Sequence, residues 1–213
     1  MKERPILFNS EMVRAVLDGR KTQTRRVIKP QPPKDTTDVH YNPSAFEPDR
    51  CYYFAPNGGK SKCPYGTAGD QLWVRETWGW LYTSGYGYLN SSTPYNIPKQ
   101  WPKMPIDIVY RADQKEFTRG FKPSIHMPRW ASRIQLKVTG VRVERVQDIT
   151  EEDAKAEGCK IRCDCGECND NNYREYFIDL WDKINGKPRM DGVDISWSAN
   201  PWVWCVTFKQ VKE

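Results

Sequence analysis

Apolar and polar positions follow two different periods along this chain, and the places where one gives way to the other mark out its elements. "RPILF", near the start, reads as a short strand. In "NSEMVRAVLDG", Met12, Val13, Val16 and Leu17 fall on one apolar face at helical spacing. Ser10 suits the N-cap, Glu11 the first turn, and Gly19 the position just past the C-terminus. "RKTQTRR" therefore begins where a helix ends and leads into "VIKP", a second strand.

"GDQLWVRETW" alternates strictly, with Leu72, Val74, Glu76 and Trp78 on one face and Trp73, Arg75 and Thr77 on the other. Glu76 thus sits on the apolar side, an odd place for a carboxylate. "CYYFAPNGGKSKCPYG" has the pattern of a hairpin turning at Asn57-Gly58, and "IDIVYRAD" that of a strand. "IQLKVTGVRVERVQDI" alternates except at Gly140, where the apolar phase slips from Val138 to Val141, so a bulge or tight turn is expected there.

"ITEEDAKAEG" predicts a short helix with Thr150 as N-cap, Asp153 at the reciprocal position and Gly158 closing it. In "YREYFIDLWDKING", Tyr173, Phe177, Leu180, Trp181 and Ile184 form a helical stripe. "NPWVWCVTFKQV" is the closing strand, with Trp202 and Trp204 on one face and Cys205 in the core. Strands outnumber helices and do not interleave regularly with them. That favours an α+β protein built on a small, mostly antiparallel β-barrel with flanking helices. The whole chain, residues 1–213, reads as one domain with loop insertions at about 30–65, 81–105 and 159–172.

Composition adds three constraints. Nine Trp and 13% aromatics in 213 residues call for an aromatic core or binding surface, while a mean hydropathy of -0.80 leaves much of the chain as solvated loop. The net charge of +6 favours anionic partners without separating nucleic acid from nucleotide. The first residues lack a signal-peptide core, and no apolar run approaches the roughly 20 residues of a membrane span. The expected location is the cytoplasm, with no membrane partner; the oligomeric state is left open.

Candidate chemistry clusters in three places. "GRKTQTRR" (residues 19–26) is either a basic helix end facing solvent or an anion-facing cluster built from Arg20, Lys21, Thr24, Arg25 and Arg26. Arg75, His126, Arg129 and Arg133 add cations that could contact nucleic acid, with Trp130 as a stacking platform or as a core residue. Cys159, Cys163, Cys165 and Cys168 could close a tetrahedral zinc site of structural type, or be free thiols on an inserted loop. The odd total of seven Cys argues against a disulfide framework.

Taken in order, "LDGRKTQTRR", "PYGTAGDQLWVRETW", "PSIHMPRWASRI", "DITEEDAKAEG", "LWDKING" and "NPWVWCVTF" resemble the ASCH domain family, especially its phage- and prophage-borne members, from about Pro5 to Phe208. The resemblance implies a PUA-like β-barrel, a type that generally binds RNA. Some small ASCH proteins are amidohydrolases that remove the acyl group from N4-acetylcytidine, and others have been described as ribonucleases. In the amidohydrolases the pattern is a Lys and a Thr three residues apart plus a Glu on a later strand, places that Lys21, Thr24 and Glu76 fill here.

The implied function is recognition of RNA or a modified nucleoside, with hydrolysis of an N4-acylcytidine amide as its catalytic form and no cofactor required for that chemistry. A non-catalytic RNA-binding module and a single-strand ribonuclease are the alternatives. Catalysis by Thr24 as nucleophile and Lys21 as base sets two physical conditions. Lys21 must be neutral, so burial or neighbouring cations must depress its pKa. The chain must also turn at Lys21 or Thr22, because in one regular strand Lys21 and Thr24 would point to opposite faces. Glu76 would donate a proton or orient the substrate, unless it pairs with Lys21 as a buried structural ion pair.

Overall fold

The computed structural model describes residues 1–33, 36, 39, 50–52, 60–82, 106–114, 121–160, 173–187 and 190–211. The elements in chain order are β1 (Glu3–Leu7), α1 (Ser10–Leu17), β2 (Gln23–Val27), β3 (Arg50–Tyr52), β4 (Lys60–Lys62), β5 (Gln71–Arg75), β6 (Trp78–Tyr82), β7 (Ile106–Tyr110), β8 (Gln135–Arg145), α2 (Glu151–Ala156), α3 (Tyr173–Asn185) and β9 (Trp202–Val211). A five-stranded mixed sheet runs in the order β1-β5-β8-β9-β2. The β1–β5 pairing is parallel and the other three are antiparallel. Two-stranded sheets β3-β4 and β6-β7 stand beside it. The fold class is therefore α+β.

β3 and β4 pair antiparallel, as a hairpin requires, while the turn expected at Asn57-Gly58 lies outside the described residues. The loop proposed for 81–105 begins as strand, since β6 runs through Tyr82; residues 83–105 lie outside the described residues.

β9 is the spine. Every residue from Trp202 to Val206 is buried, so both of its faces are covered. Trp204, Val206 and Phe208 pack with Ile6, Phe8, Leu72, Val74, Leu136 and Val138 in the main core, which α1 joins through Val13 and Val16. On the other side Val203 meets Ala154 of α2 and Phe177 and Trp181 of α3. A third cluster gathers Trp78, Met127 and Ala131, with Trp80, Ile108, Tyr110 and Trp130 against it.

Local chemistry explains most boundaries. The register of β8 on β9 slips between Val138 and Gly140, so the bulge foreseen at Gly140 is there and carries Val141 and Val143 back onto the core. Thr150 caps α2, its side chain accepting from the Asp153 N–H. The cap of α1, however, is Asn9 and not Ser10. Asn9 is extended, and its Oδ1 accepts from the Met12 N–H at 2.8 Å, which places Ser10 inside the helix.

Three further expectations need correction. "GDQLWVRETW" is not one strand: β5 ends at Arg75 and β6 joins a different sheet, yet burial still alternates through Glu76 to Trp78. The second strand is "QTRRV" itself and not "VIKP", so the second half of the basic motif lies in the sheet. On α3, Phe177 and Trp181 are buried as expected while Ile184 is exposed.

Gly158 follows α2 with φ of +84°, where a Cβ would lie 2.8 Å from the Ala15 Cβ and 3.0 Å from the Lys21 Cβ. Backbone strain and overpacking then act together. Gly158→Ala is expected to cost about 1–3 kcal/mol of stability, read from urea unfolding. An unchanged midpoint would mean that α1 and α2 are not packed this closely.

Candidate functional site

The basic motif is built by the turn from α1 into β2. Lys21 N–H donates to the Ala15 carbonyl and Thr22 N–H to the Ala156 carbonyl, so the chain is not regular strand until Gln23. The turn required for Lys21 and Thr24 to converge is thus present. From Gln23 onward the alternation of a strand applies. Thr24 and Arg26 pair with Val206 and Trp204 on the main-core face, while Arg25 pairs with Cys205 on the face toward α2.

Phe8 links these residues to Glu76. The parallel register Ile6↔Val74 and Leu7↔Arg75, extended by the Phe8 N–H donating to the Arg75 carbonyl, sets Phe8 alongside Glu76. The Lys21 Nζ and the Arg26 guanidinium each lie 5.6 Å from the Phe8 ring centre. Lys21, Thr24 and Glu76 are all buried, at 2%, 1% and 1% exposure. The structure therefore brings Lys21 and Glu76 to the same aromatic residue, while Thr24 faces that core from β2 through its pairing with Val206. Thr24 and Arg26 also line a cleft bordered by Met12, Glu157 and Phe177.

Lys21 and Glu76 do not pair with each other; each has its own counter-ion. The Lys21 Nζ donates to Glu157 Oε2 and to the Glu157 carbonyl, both at 2.7 Å. Burial pulls the Lys21 pKa below its ordinary value. Glu157 opposes that shift and Arg26 reinforces it. The direction is the one a lysine base requires.

Glu76 is held by Arg133, with Nε to Oε1 at 3.0 Å and Nη2 to Oε2 at 3.1 Å. Burial raises the Glu76 pKa above its ordinary value and Arg133 works against that rise. Arg133 is itself gripped by Asp113 at 2.6 and 2.9 Å, and its guanidinium lies 3.9 Å from the Tyr110 ring centre.

The remaining candidate cations are engaged within the fold. Arg25, its side chain fully buried, reaches Asp153 at 2.7 Å, Glu157 at 3.4 Å and also Glu144. Arg20 donates to Asp18 and to the Gly158 carbonyl, and Arg26 to the Leu7 carbonyl at 2.6 Å. Arg75 donates to the Met127 and Ile125 carbonyls, and Arg129 to both Glu3 oxygens. Trp130 packs edge-on against Trp78 with ring centres 5.7 Å apart, and His126 is exposed.

Cys159 is buried, and burial pushes its thiol up to about 12. Cys163, Cys165 and Cys168 lie outside the described residues. Among the described residues no group of three or more His, Cys, Asp or Glu is placed to hold a metal ion. No described helix is long and apolar enough to cross a membrane.

Phe8, Glu157 and Asp113 escape a reading of the sequence. Glu157 is one acid among several in "EEDAKAEG", and nothing in its spacing marks it as the one that turns inward. No family model matches the chain, and neither does any curated protein. Among solved structures, the crystal structure of protein EF3133 from Enterococcus faecalis V583, described under family DUF984, aligns with a TM-score of 0.42 and 10% identity, over 99% of this chain and 81% of that one.

Arg25 sets the stability of this region. Arg25→Met leaves three carboxylates short of a buried cation and is expected to cost about 3–5 kcal/mol near neutral pH. Asp153 has a pKa held below 3.8; burial opposes that shift, and Arg25 leads the interactions that outweigh it. Its contribution is therefore complete above 3.8 and lost as pH falls through the lowered value. The gap between variant and wild type should narrow over that acid range in urea unfolding. A gap that does not change with pH would show that the pairing is not the cause.

Proposed function

We propose that the protein recognises a modified pyrimidine nucleoside, free or within RNA, and hydrolyses its N4-acyl amide, as a PUA-like barrel of ASCH type. One observation carries the proposal: Lys21 lies against Phe8 just before β2, Glu76 sits at the position paired with Phe8, Thr24 of β2 faces the same core, and all three are buried. Curling of the sheet is supported by Arg26 of β2 donating to the Leu7 carbonyl of β1, since these are its two outer strands.

In the proposed reaction the Thr24 hydroxyl attacks the acyl carbonyl while neutral Lys21 accepts its proton. Collapse of the tetrahedral intermediate breaks the C–N bond. The proton passes from Lys21 to the leaving cytosine amine, with Glu76 orienting the nucleoside. Water then cleaves the Thr24 ester and releases the carboxylic acid. Burial shifts the Lys21 pKa downward, the direction a base needs; Glu157 opposes that shift and the Arg26 charge adds to it. No step draws on a metal. Zinc on Cys159, Cys163, Cys165 and Cys168 would be structural, since four thiolates leave no position for water.

A binding module without chemistry is the second reading. The observation in its favour is that Lys21 already has two acceptors at 2.7 Å in Glu157, one of them a carboxylate that favours the ammonium form. The two are separated by incubating N4-acetylcytidine and acetylated RNA with wild type and Lys21→Ala. Cytidine release by wild type, lowered about 10²–10⁴-fold in Lys21→Ala, is the expected result. No turnover on either substrate, with RNA affinity falling steeply as salt rises, would establish the binding module instead.

A further inference from the structure

Among the cations singled out as anion ligands, Arg133 has both faces of its role visible. Its fork closes on both oxygens of Glu76, at 3.0 and 3.1 Å, while Asp113 holds the outer edge of the same guanidinium at 2.6 and 2.9 Å. The Tyr110 ring lies against it, 3.9 Å from the guanidinium to the ring centre. A planar guanidinium held by two carboxylates and stacked on a ring has little freedom left to follow a mobile phosphate. The Glu76 N–H points to the Met127 Sδ at 3.2 Å, which fixes the backbone beneath the carboxylate as well.

We infer that Arg133 is a positioning residue that fixes Glu76 as an ionised hydrogen-bond acceptor, so that the ligand group Glu76 reads is an N–H or O–H donor and not a phosphate. The ligand part of this inference rests on the function proposed above and narrows it; the clamp itself rests on geometry alone. A carboxylate has about four lone-pair positions, and a bidentate guanidinium occupies two. Those left over can accept only from donors. The exocyclic amide N–H of an N4-acylcytidine or a ribose hydroxyl fits that chemistry, whereas a phosphate oxygen would meet repulsion. In that role Glu76 orients the nucleoside, and the proton for the leaving amine comes from Lys21.

Among the described residues, the groups that govern the Glu76 charge are few. Arg133 precedes β8, Asp113 and Tyr110 come from β7 and its following turn, and Phe8 of the β1 side is uncharged. Arg133 favours the ionised carboxylate, while burial and Asp113 disfavour it.

The test is the Glu76 side-chain carboxyl signal in 13C-glutamate-labelled protein, titrated in wild type, Arg133→Met and Arg133→Lys and assigned with Glu76→Gln. Arg133→Met should raise the Glu76 midpoint by about 1–3 pH units, and Arg133→Lys, which keeps charge without the fork, by less. A midpoint the same in all three overturns the inference. If Arg133→Met fails to fold, the Lys variant alone decides: a raised midpoint supports the clamp and an unchanged one overturns it.

Ligand recognition is then read at neutral pH on the wild-type signal. N4-acetylcytidine should move it, and the N4-methylated analogue, which lacks the N–H, should not. Equal responses to both compounds overturn the donor assignment. A clamp seen by titration with no response to either nucleoside counts against the proposed substrate, and so against the function rather than the clamp.

Discussion

A cation buried in a protein must be neutralised within a few ångströms, and in this fold that demand ties the β2 edge of the sheet to the helices that cover it. Arg25, with no exposed side-chain surface, and Lys21, equally enclosed, both reach Glu157. Glu157 follows α2 directly, so its charge can meet them only if α2 lies against β2 as it does. Arg25 pairs in register with Cys205, and Cys205 with Arg142, which forms a row across three strands on the face toward α2. Asp153 answers both arginines of that row, at 2.7 and 2.8 Å. Without the network α2 keeps a short apolar stripe and the Thr22 N–H bond to the Ala156 carbonyl. The position of the lysine depends on the network as directly as the stability does.

The same accounting changes what the basic charge means. A net charge of +6 suggests an outward-facing cationic surface, yet the cations of the most basic motif turn inward or onto backbone carbonyls. Arg26 bonds a carbonyl across the sheet edges, and Arg75 bonds two carbonyls beside Met127. Such contacts orient a side chain without cancelling its charge, so these arginines still contribute a positive field. A cation paired to a carboxylate contributes far less. Among the candidate arginines, those bound to carbonyls therefore contribute more to a positive field than Arg25, Arg129 or Arg133, each of which has a carboxylate partner.

Much of the fold could be read from periodicity because its strands are half-buried and alternate. Leu72, Val74, Glu76 and Trp78 are buried and the residues between them are not, as the pattern requires. The bulge at Gly140 was legible for the same reason, since a slipped register must show as a slipped phase. The assignment failed where two faces are covered at once. Gln23, Thr24 and Arg25 are buried in succession, and no period distinguishes a doubly covered strand from a turn. Of the candidate site, the sequence offers Lys21, Thr24 and Glu76 through a family resemblance, but none of their partners. Glu157 and Asp113 become meaningful only through contacts between residues 136 and 20 positions apart in the chain.

The position of Glu76 follows from a conflict between local pattern and sheet architecture. Alternation runs unbroken from Leu72 to Trp78, but the main sheet ends at Arg75 and the chain enters a second sheet at Trp78. Glu76 lies in the gap, so it keeps the inward direction of the strand while its backbone N–H leaves the ladder and turns to Met127. A carboxylate there is buried without being part of the packed strand. It then needs a cation that arrives from elsewhere, and Arg133 supplies it from the segment just before β8. A leucine at this position would satisfy the apolar pattern and need no such arrangement. The carboxylate costs desolvation that the fold itself does not require, which is the physical ground for the proposal that Glu76 serves function rather than stability.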